Sequence, residues 1–259
     1  MECVVVAGGH PAPDDPLYAY SHGKPKAMID MEGQTMLEYV VHALLVATQV
    51  QEVIVVGIEP DLTTELTFPQ PVSFLPDQGT LFQNARSGMD WYLAHRPEDR
   101  LIMFATADIP LIQGAHVDDF IIRCRPLDQF AYYPLVRQDQ MEQQFPNSGR
   151  TFVQLKGSTF TNGNITLIDT RLLKTGSVWG EEITNARKHP WKLVRLLGFT
   201  FLLKYLLRQL TVADVEQKVS QITGTPVKSL FVNHAELAMD ADNPHQVELM
   251  RRQLARQQA

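Results

Sequence analysis

Three segments far apart in the chain hold the residue types that phosphate chemistry uses. The first is Ala7-Gly8-Gly9, followed by a polar loop and then Lys24-Pro25-Lys26. Glycines let backbone N–H groups approach phosphate oxygens closely, and a lysine adds positive charge for a transferring group. The second is Thr106-Ala107-Asp108-Ile109-Pro110-Leu111, where Asp108 follows an apolar run. A carboxylate at the end of a buried strand is costly unless its charge is used, and holding Mg²⁺ with one or two carboxylates is such a use. The third is Met239-Asp240-Ala241-Asp242-Asn243-Pro244. Each segment also has a plainer reading: Gly8-Gly9 as a tight turn, and Asp108, Asp240 or Asp242 as helix caps. The first segment lacks Gly-Lys-Ser/Thr and Gly-x-Gly-x-x-Gly, so it is neither a Walker loop nor a Rossmann fingerprint.

Two further segments suit substrate contacts. In Asp77-Gln78-Gly79-Thr80-Leu81-Phe82-Gln83-Asn84, Gly79 allows close approach and Gln83 or Asn84 could read a base edge. An ordinary helix start at Thr80 explains the same residues. Asn162-Gly163-Asn164 places amides beside a glycine, but Asn-Gly is also the commonest hairpin turn, and that reading stands slightly ahead.

The elements that must position these residues are legible as alternation. Short apolar runs at 3–7, 52–57, 72–75, 101–105 and 130–136 read as buried strands. Ala27-Met28-Ile29 reads as a brief extended piece. Helices are expected from Thr35, with Thr35 and Glu38 as a capping box, over 80–94 and over 117–124. A late strand is expected at 228–232 and a last helix after Asn243 as cap with Pro244 at its first position. Strands alternating with helices imply parallel pairing by right-handed crossovers, with ligands beyond the carboxyl ends of the strands. Gly8-Gly9 and Asp108 both fall at such ends. The expected fold is therefore a three-layer α/β domain over 1–259 with a mostly parallel central sheet, extended by helices at about 177–222.

The run Ala7-Gly8-Gly9, Lys24-Pro25-Lys26-Ala27-Met28-Ile29 and Gly33-Gln34-Thr35-Met36-Leu37 resembles the opening of the GT-A-like nucleotidyltransferases. That group includes molybdopterin guanylyl- and cytidylyltransferases, sugar-phosphate and methylerythritol-phosphate cytidylyltransferases, and phospholactate guanylyltransferases. The resemblance implies a loop (Ala7, Gly8, Gly9, with Lys24) around nucleotide phosphates and Lys26 as the lysine that contacts them. It implies Asp108 as metal ligand from Asp-x-Pro-Leu, and Asp242, with Asp240 next, as second ligand. It places base and ribose near Gly79 and Asn84, and an acceptor near Asn162 and Asn164. The implied cofactor is Mg²⁺ and the implied reaction is transfer of a nucleotidyl group from an NTP to a small phosphate-type acceptor, with Lys26 and Asp108 as catalytic residues. Where the group's loop continues Gly-x-Gly-x-Arg, this chain reads Gly9-His10-Pro11-Ala12-Pro13, with no arginine before Lys24. Two alternatives remain: a non-catalytic nucleotide sensor or scaffold, and a GT-A glycosyltransferase, which would need an Asp-x-Asp where Ala107-Asp108 stands.

Composition narrows the partners. A net charge of -6 argues against a protein built to neutralise a nucleic-acid backbone. No basic segment followed by a long apolar run opens the chain, no stretch is apolar for the 18 or so residues of a membrane span, and Cys3 and Cys124 are too isolated for a zinc site. A cytoplasmic protein is expected. Arg187-Lys188-His189-Pro190-Trp191-Lys192-Leu193-Val194-Arg195 and the apolar run after it are read first as a core or dimer helix, with membrane-surface contact through 187–208 as the sharper alternative. The oligomeric state is left open, with a homodimer as one option.

Overall fold

Strand β1 (Glu2–Val6) shows why the sheet forms where it does. Its side chains alternate between two apolar layers: Cys3 and Val5 enter one core, Val4 and Val6 the other. Strands β2 (Glu52–Val56) and β4 (Leu101–Thr106) flank it in parallel and repeat the alternation. A strand buried on both faces is apolar along its interior, as residues 3–6, 53–56 and 102–105 are. The computed structural model describes residues 1–96, 101–172 and 198–258. Over these it also contains β3 (Ser73–Leu75), β5 (Ala131–Arg137), β6 (Val153–Leu155), β7 (Ser158–Asn162), β8 (Ile165–Asp169) and β9 (Val227–Phe231).

Helices close both faces. The described α-helices are α1 (Tyr18–Ser21), α2 (Met36–Val46), α3 (Pro60–Thr63), α4 (Leu81–His95), α5 (Gly114–Arg123), α6 (Gln138–Gln144), α7 (Phe199–Leu206), α8 (Val212–Thr223) and α9 (Pro244–Gln258). Leu37, Val40, Val41 and Leu44 of α2, Val117 and Phe120 of α5, and Val247 and Met250 of α9 share one core with Cys3 and Val5. Met89 and Tyr92 of α4 cover the opposite face against Val4 and Val6. The result is the three-layer α/β arrangement with a large, mostly parallel sheet.

The sheet has nine strands in the order β3-β2-β1-β4-β8-β5-β7-β6, with β9 also on β5. β1 to β4 pair in parallel, and β9 pairs in parallel with β5. β8 is antiparallel to both β4 and β5, and β7 to both β5 and β6. Every described strand therefore points the same way except β7 and β8. These two are one bulged run. Between the pairs Leu135–Asn162 and Tyr132–Leu167, β5 advances three residues while its neighbour advances five. Asn162-Gly163-Asn164 is thus not the hairpin turn that Asn-Gly suggested. It is a two-residue bulge, and Gly163 is needed there because a Cβ would meet Pro134 Cγ at 2.7 Å.

Other sequence expectations hold with shifted ends. The Thr35–Glu38 capping box is present, and Asn243 Oδ1 accepts the Gln246 N–H at 3.0 Å as cap of α9. Ala27-Met28-Ile29 is not extended: Lys26–Met28 is a 3₁₀ turn, started by Pro25, whose carbonyl accepts the Met28 N–H at 2.8 Å. α5 begins at Gly114, three residues before its expected start, because Gln113 caps it. Of the extension placed at 177–222, α7 and most of α8 are described. Residues 173–197, which include the Arg187–Arg195 motif, lie outside the described residues.

Candidate functional site

With so many strands aligned, their carboxyl ends gather the polar residues at one edge. Ala7 continues β1, its N–H donating to the Val56 carbonyl at 2.8 Å. Gly8 then runs on past the end of β1, tight against Gly57, Asp77 and Asn84. A Cβ on Gly8 would stand 2.4 Å from both Asn84 Nδ2 and Asp77 Oδ1, and one on Gly57 would stand 2.2 Å from the Gly8 nitrogen. Only glycines allow this close approach, and Gly57 also has φ 106°. Gly9 returns the loop: its carbonyl accepts the Lys26 N–H at 2.8 Å. The expected Ala7-Gly8-Gly9 to Lys26 connection is thus a direct contact.

Lys26 reaches the acidic pair. Its Nζ lies 2.7 Å from Asp108 Oδ2 and 2.9 Å from Asp242 Oδ1. Asp108 is not the cap of α5, which is Gln113, and Asp242 is not the cap of α9, which is Asn243. The capping explanation for both aspartates therefore falls away. Ala241 N–H donates to the Asp108 carbonyl at 3.0 Å, which ties the Asp240–Asp242 segment to the end of β4 across the chain. Burial works against the Lys26 charge, but Asp108 first and Asp242 second more than restore it, so its pKa lies above the ordinary lysine value.

Arg150 completes the cluster, and sequence reading had missed it. It stands between α6 and β6, forms an ion pair with Asp240, and lies 4.0 Å from Asp242 Oδ2. Its Nε is buried without a hydrogen-bond partner among the described residues. Burial lowers its pKa, with Asp242 and Asp108 opposing. The loop before it is pinned to the first turn of α9, where His245 Nε2 meets the Asn147 carbonyl at 2.8 Å and Gln246 Nε2 donates to the Ser148 carbonyl at 3.2 Å. The only local signal was an arginine following the turn residues Asn147-Ser148-Gly149.

The remaining expected residues fall around this cluster in different ways. Asn164 Nδ2 donates to Asp240 Oδ2 at 3.2 Å, and the Asn164 N–H donates to the Leu237 carbonyl at 2.7 Å, so the bulge joins the acidic segment. Asn162 is exposed at the end of β7, with no side-chain contact to the aspartates among those described. Asn84 is buried and fixed by Asp77 Oδ1 at 2.6 Å, while its Oδ1 accepts the Gln78 N–H at 2.7 Å. Gly79 N–H donates to Asp77 Oδ1 at 3.2 Å. Thr80 caps α4 as the plain reading held. Lys24 points away to Glu65 at 2.6 Å.

Asp108 and Asp242 offer hard carboxylate oxygens of the kind Mg²⁺ takes, joined as placed by Lys26 Nζ, with Asp240 beside them on Arg150; the three carboxylates do not close to within 4.8 Å of one another. A separate group, His116, His234 and Glu236, does have ligand atoms within 4.8 Å of one another. Its imidazoles are stacked, with centroids 4.5 Å apart and planes 18° apart. As placed, its ring nitrogens meet protein groups: the Gln113 N–H donates to His116 Nδ1 at 3.3 Å, and His234 Nε2 lies 3.0 Å from Asp119 Oδ2.

The sequence model of the MobA-like NTP transferase domain matches residues 3–227. The chain belongs to this family. A hypothetical transferase from Thermus thermophilus is similar at 30% identity and TM-score 0.79, over 95% of this chain and 98% of that one. The fold also matches CMP:2-keto-3-deoxy-manno-octonic acid synthetase complexed with CTP, at 13% identity and TM-score 0.59, over 99% and 100% of the two chains. It matches 2-C-methyl-D-erythritol 4-phosphate cytidylyltransferase, also from Thermus thermophilus, at 18% identity and TM-score 0.54, over 99% and 100%. For this MobA-like chain the residue-level roles rest on its own geometry.

Proposed function

We propose that this protein transfers a nucleotidyl group from an NTP to a phosphate-type small-molecule acceptor, releasing pyrophosphate. The observation that carries the reading is Lys26 Nζ held between Asp108 and Asp242 at the carboxyl ends of β1 and β4. An acceptor phosphate oxygen, already ionised, forms the new bond to the α-phosphorus as the bond to the β-phosphate oxygen breaks, and that oxygen leaves with the pyrophosphate. No protein nucleophile is then required, only alignment and charge neutralisation.

The backbone of Ala7-Gly8-Gly9 cradles the phosphates, and Lys26 faces the charge that develops on the α-phosphate and the leaving group. Asp108 and Asp242, with Asp240, are the residues to hold Mg²⁺, which supplies Lewis-acid neutralisation of the phosphates. Asn84 and Gly79 lie on the base and ribose side, and Asn164 on the acceptor side. Arg150 brings the guanidinium that the loop from His10 to Gly23 lacks. Arginine offers a planar fork that lysine does not, so its place beside Asp240 and Asp242 supports turnover over mere sensing. Lys24, paired with Glu65, reaches phosphate only if that exposed pair opens.

The test is a thermal-shift screen of the four common NTPs with and without Mg²⁺, since a ligand of the native state must raise stability by mass action. One NTP is expected to stabilise the chain in a Mg²⁺-dependent way, and Asp108→Asn to abolish the Mg²⁺-dependent part. Pyrophosphate release in the presence of acceptor should fall by about a hundredfold or more in the same variant. An unchanged Mg²⁺ response in Asp108→Asn would overturn the metal assignment. Binding without pyrophosphate release across a library of phosphorylated acceptors would favour the sensor reading.

A further inference from the structure

Four side chains that nucleotidyl transfer does not use meet between α5 and the segment after β9. His116 and Asp119 lie about one turn apart on α5, and His234 and Glu236 stand at the start of the 3₁₀ turn Ala235–Ala238. The ligand atoms of His116, His234 and Glu236 form the close group already described. The His116 and Glu236 side chains are only 11% and 12% exposed.

The hydrogen bonds around His116 decide which nitrogen carries its lone pair. The Gln113 N–H can only donate, so Nδ1, 3.3 Å away, accepts and has no proton. Glu236 Oε2 lies 3.9 Å from that same nitrogen. A carboxylate oxygen is also an acceptor, so two lone-pair atoms face each other across a gap too long for a hydrogen bond. In a largely buried place such a pair repels unless a cation stands between them. A proton suits this gap poorly, because burial first, and His234 with it, hold the His116 pKa below the ordinary value against Glu236 and Asp119. A metal ion suits it better: two ligands of a tetrahedral Zn²⁺ stand about 3.4 Å apart. Capping of α5 explains the Gln113 contact but not the carboxylate opposite it.

The geometry points to a site for a borderline divalent cation such as Zn²⁺, held by His116 Nδ1, one imidazole nitrogen of His234 and Glu236 Oε2. Imidazole and carboxylate together suit Zn²⁺, whereas Mg²⁺ takes oxygen ligands. Three protein ligands leave a fourth position for water. Two neighbours steady them: Asp119 Oδ2 lies 3.0 Å from His234 Nε2 and 2.6 Å from Arg123 Nε, and Gln144 Nε2 donates to Glu236 Oε1. The stacked rings turn to close on the ion, and χ2 of histidine is a soft torsion. From Glu236 the chain runs on to Asp240 and Asp242, with the Leu237 carbonyl accepting the Asn164 N–H at 2.7 Å. The ion therefore braces α5 against the segment that carries those aspartates. The inference does not rest on the nucleotidyl-transfer reading.

The experiment titrates the full chain, freed of metal by a chelator, with Zn²⁺ in the presence of millimolar Mg²⁺, read by calorimetry and by melting temperature. Zn²⁺ is expected to bind and to raise the melting temperature. His116→Gln, His234→Gln and Glu236→Gln should each weaken binding at least about tenfold, while Asp108→Asn should bind Zn²⁺ as the parent does. Glu236→Gln keeps the shape of the side chain, so it tests the site even where a histidine variant fails to fold. Absence of Zn²⁺ binding overturns the proposal, as does undiminished binding in any of the three variants that folds. Binding lost in Asp108→Asn also overturns it, because the ion then sits among the aspartates. The Mg²⁺-dependent NTP response of Asp108→Asn is a separate readout and stands or falls apart from these results.

Discussion

Strand β1 and helix α7 are both written in apolar residues, yet the protein treats them oppositely. Cys3, Val4 and Val5 are 0% exposed, while Leu206 and Leu207 are 76% and 61% exposed. β1 is paired on both edges and covered on both faces, and no charge interrupts Cys3 to Ala7. α7 is broken by Lys204 and followed by Arg208, and its outer side has no described element over it. An apolar run therefore reports a tendency to leave water, and its neighbours decide what it leaves water for.

The largest effect that would sharpen this contrast is Val5→Asp. A carboxylate without a partner at a fully buried site should cost about 4 kcal/mol or more, enough to unfold a marginal domain, as urea melts would show. Gly57→Ala comes next. The new Cβ meets backbone at a positive φ, so the β1–β2 edge must shift, and a loss of about 3 kcal/mol is expected from the same melts. A variant as stable as the parent would mean that the glycine loop is not clamped.

Between the two extremes lies His116 on α5. Burial first, and the neighbouring His234, lower its pKa, against the pull of Glu236 and Asp119. The native state then binds this proton less readily than the unfolded chain. Its contribution to stability is fully present above the unfolded value near 6.5 and declines as pH falls through that value towards the lowered native one. Melting temperature measured between about pH 7 and 5 should fall less steeply in His116→Gln than in the parent. An identical slope would remove His116 from the account. The smallest effect belongs to α7: Leu206→Gln should change stability by no more than about 0.5 kcal/mol, and a larger loss would show that the helix face is covered after all.

What could be read from sequence was local. The buried strands of β1, β2 and β4, the Thr35–Glu38 box and the Asn243 cap each depend on residues within a few positions, and they were legible as such. The Asp108 and Asp242 candidates were legible as residue types, but their meeting was not, because it depends on the Ala241 N–H donating to the Asp108 carbonyl across the whole chain. Arg150 was illegible for the same reason: its partners are fixed by the packing of a loop on α9. Asn162-Gly163-Asn164 was misread as a hairpin because the Asn-Gly signal does not say whether the chain reverses or only bulges. Ala27-Met28-Ile29 was misread because three apolar residues are too few to carry a period.

The bulge between β7 and β8 has a further consequence for anyone altering the length of this chain. Two is an even number, so the inward and outward alternation survives it: Thr161 before the bulge and Ile165 and Leu167 after it are all buried. Removing Gly163 alone would turn every side chain on one flank to the wrong side of the sheet. Removing Gly163 and Asn164 together would leave the faces matched, at the cost of the Asn164 amide beside Asp240 and of the backbone bonds that Asn164 makes with Leu237 and Thr106. Length at this point is tolerant in steps of two and intolerant in steps of one.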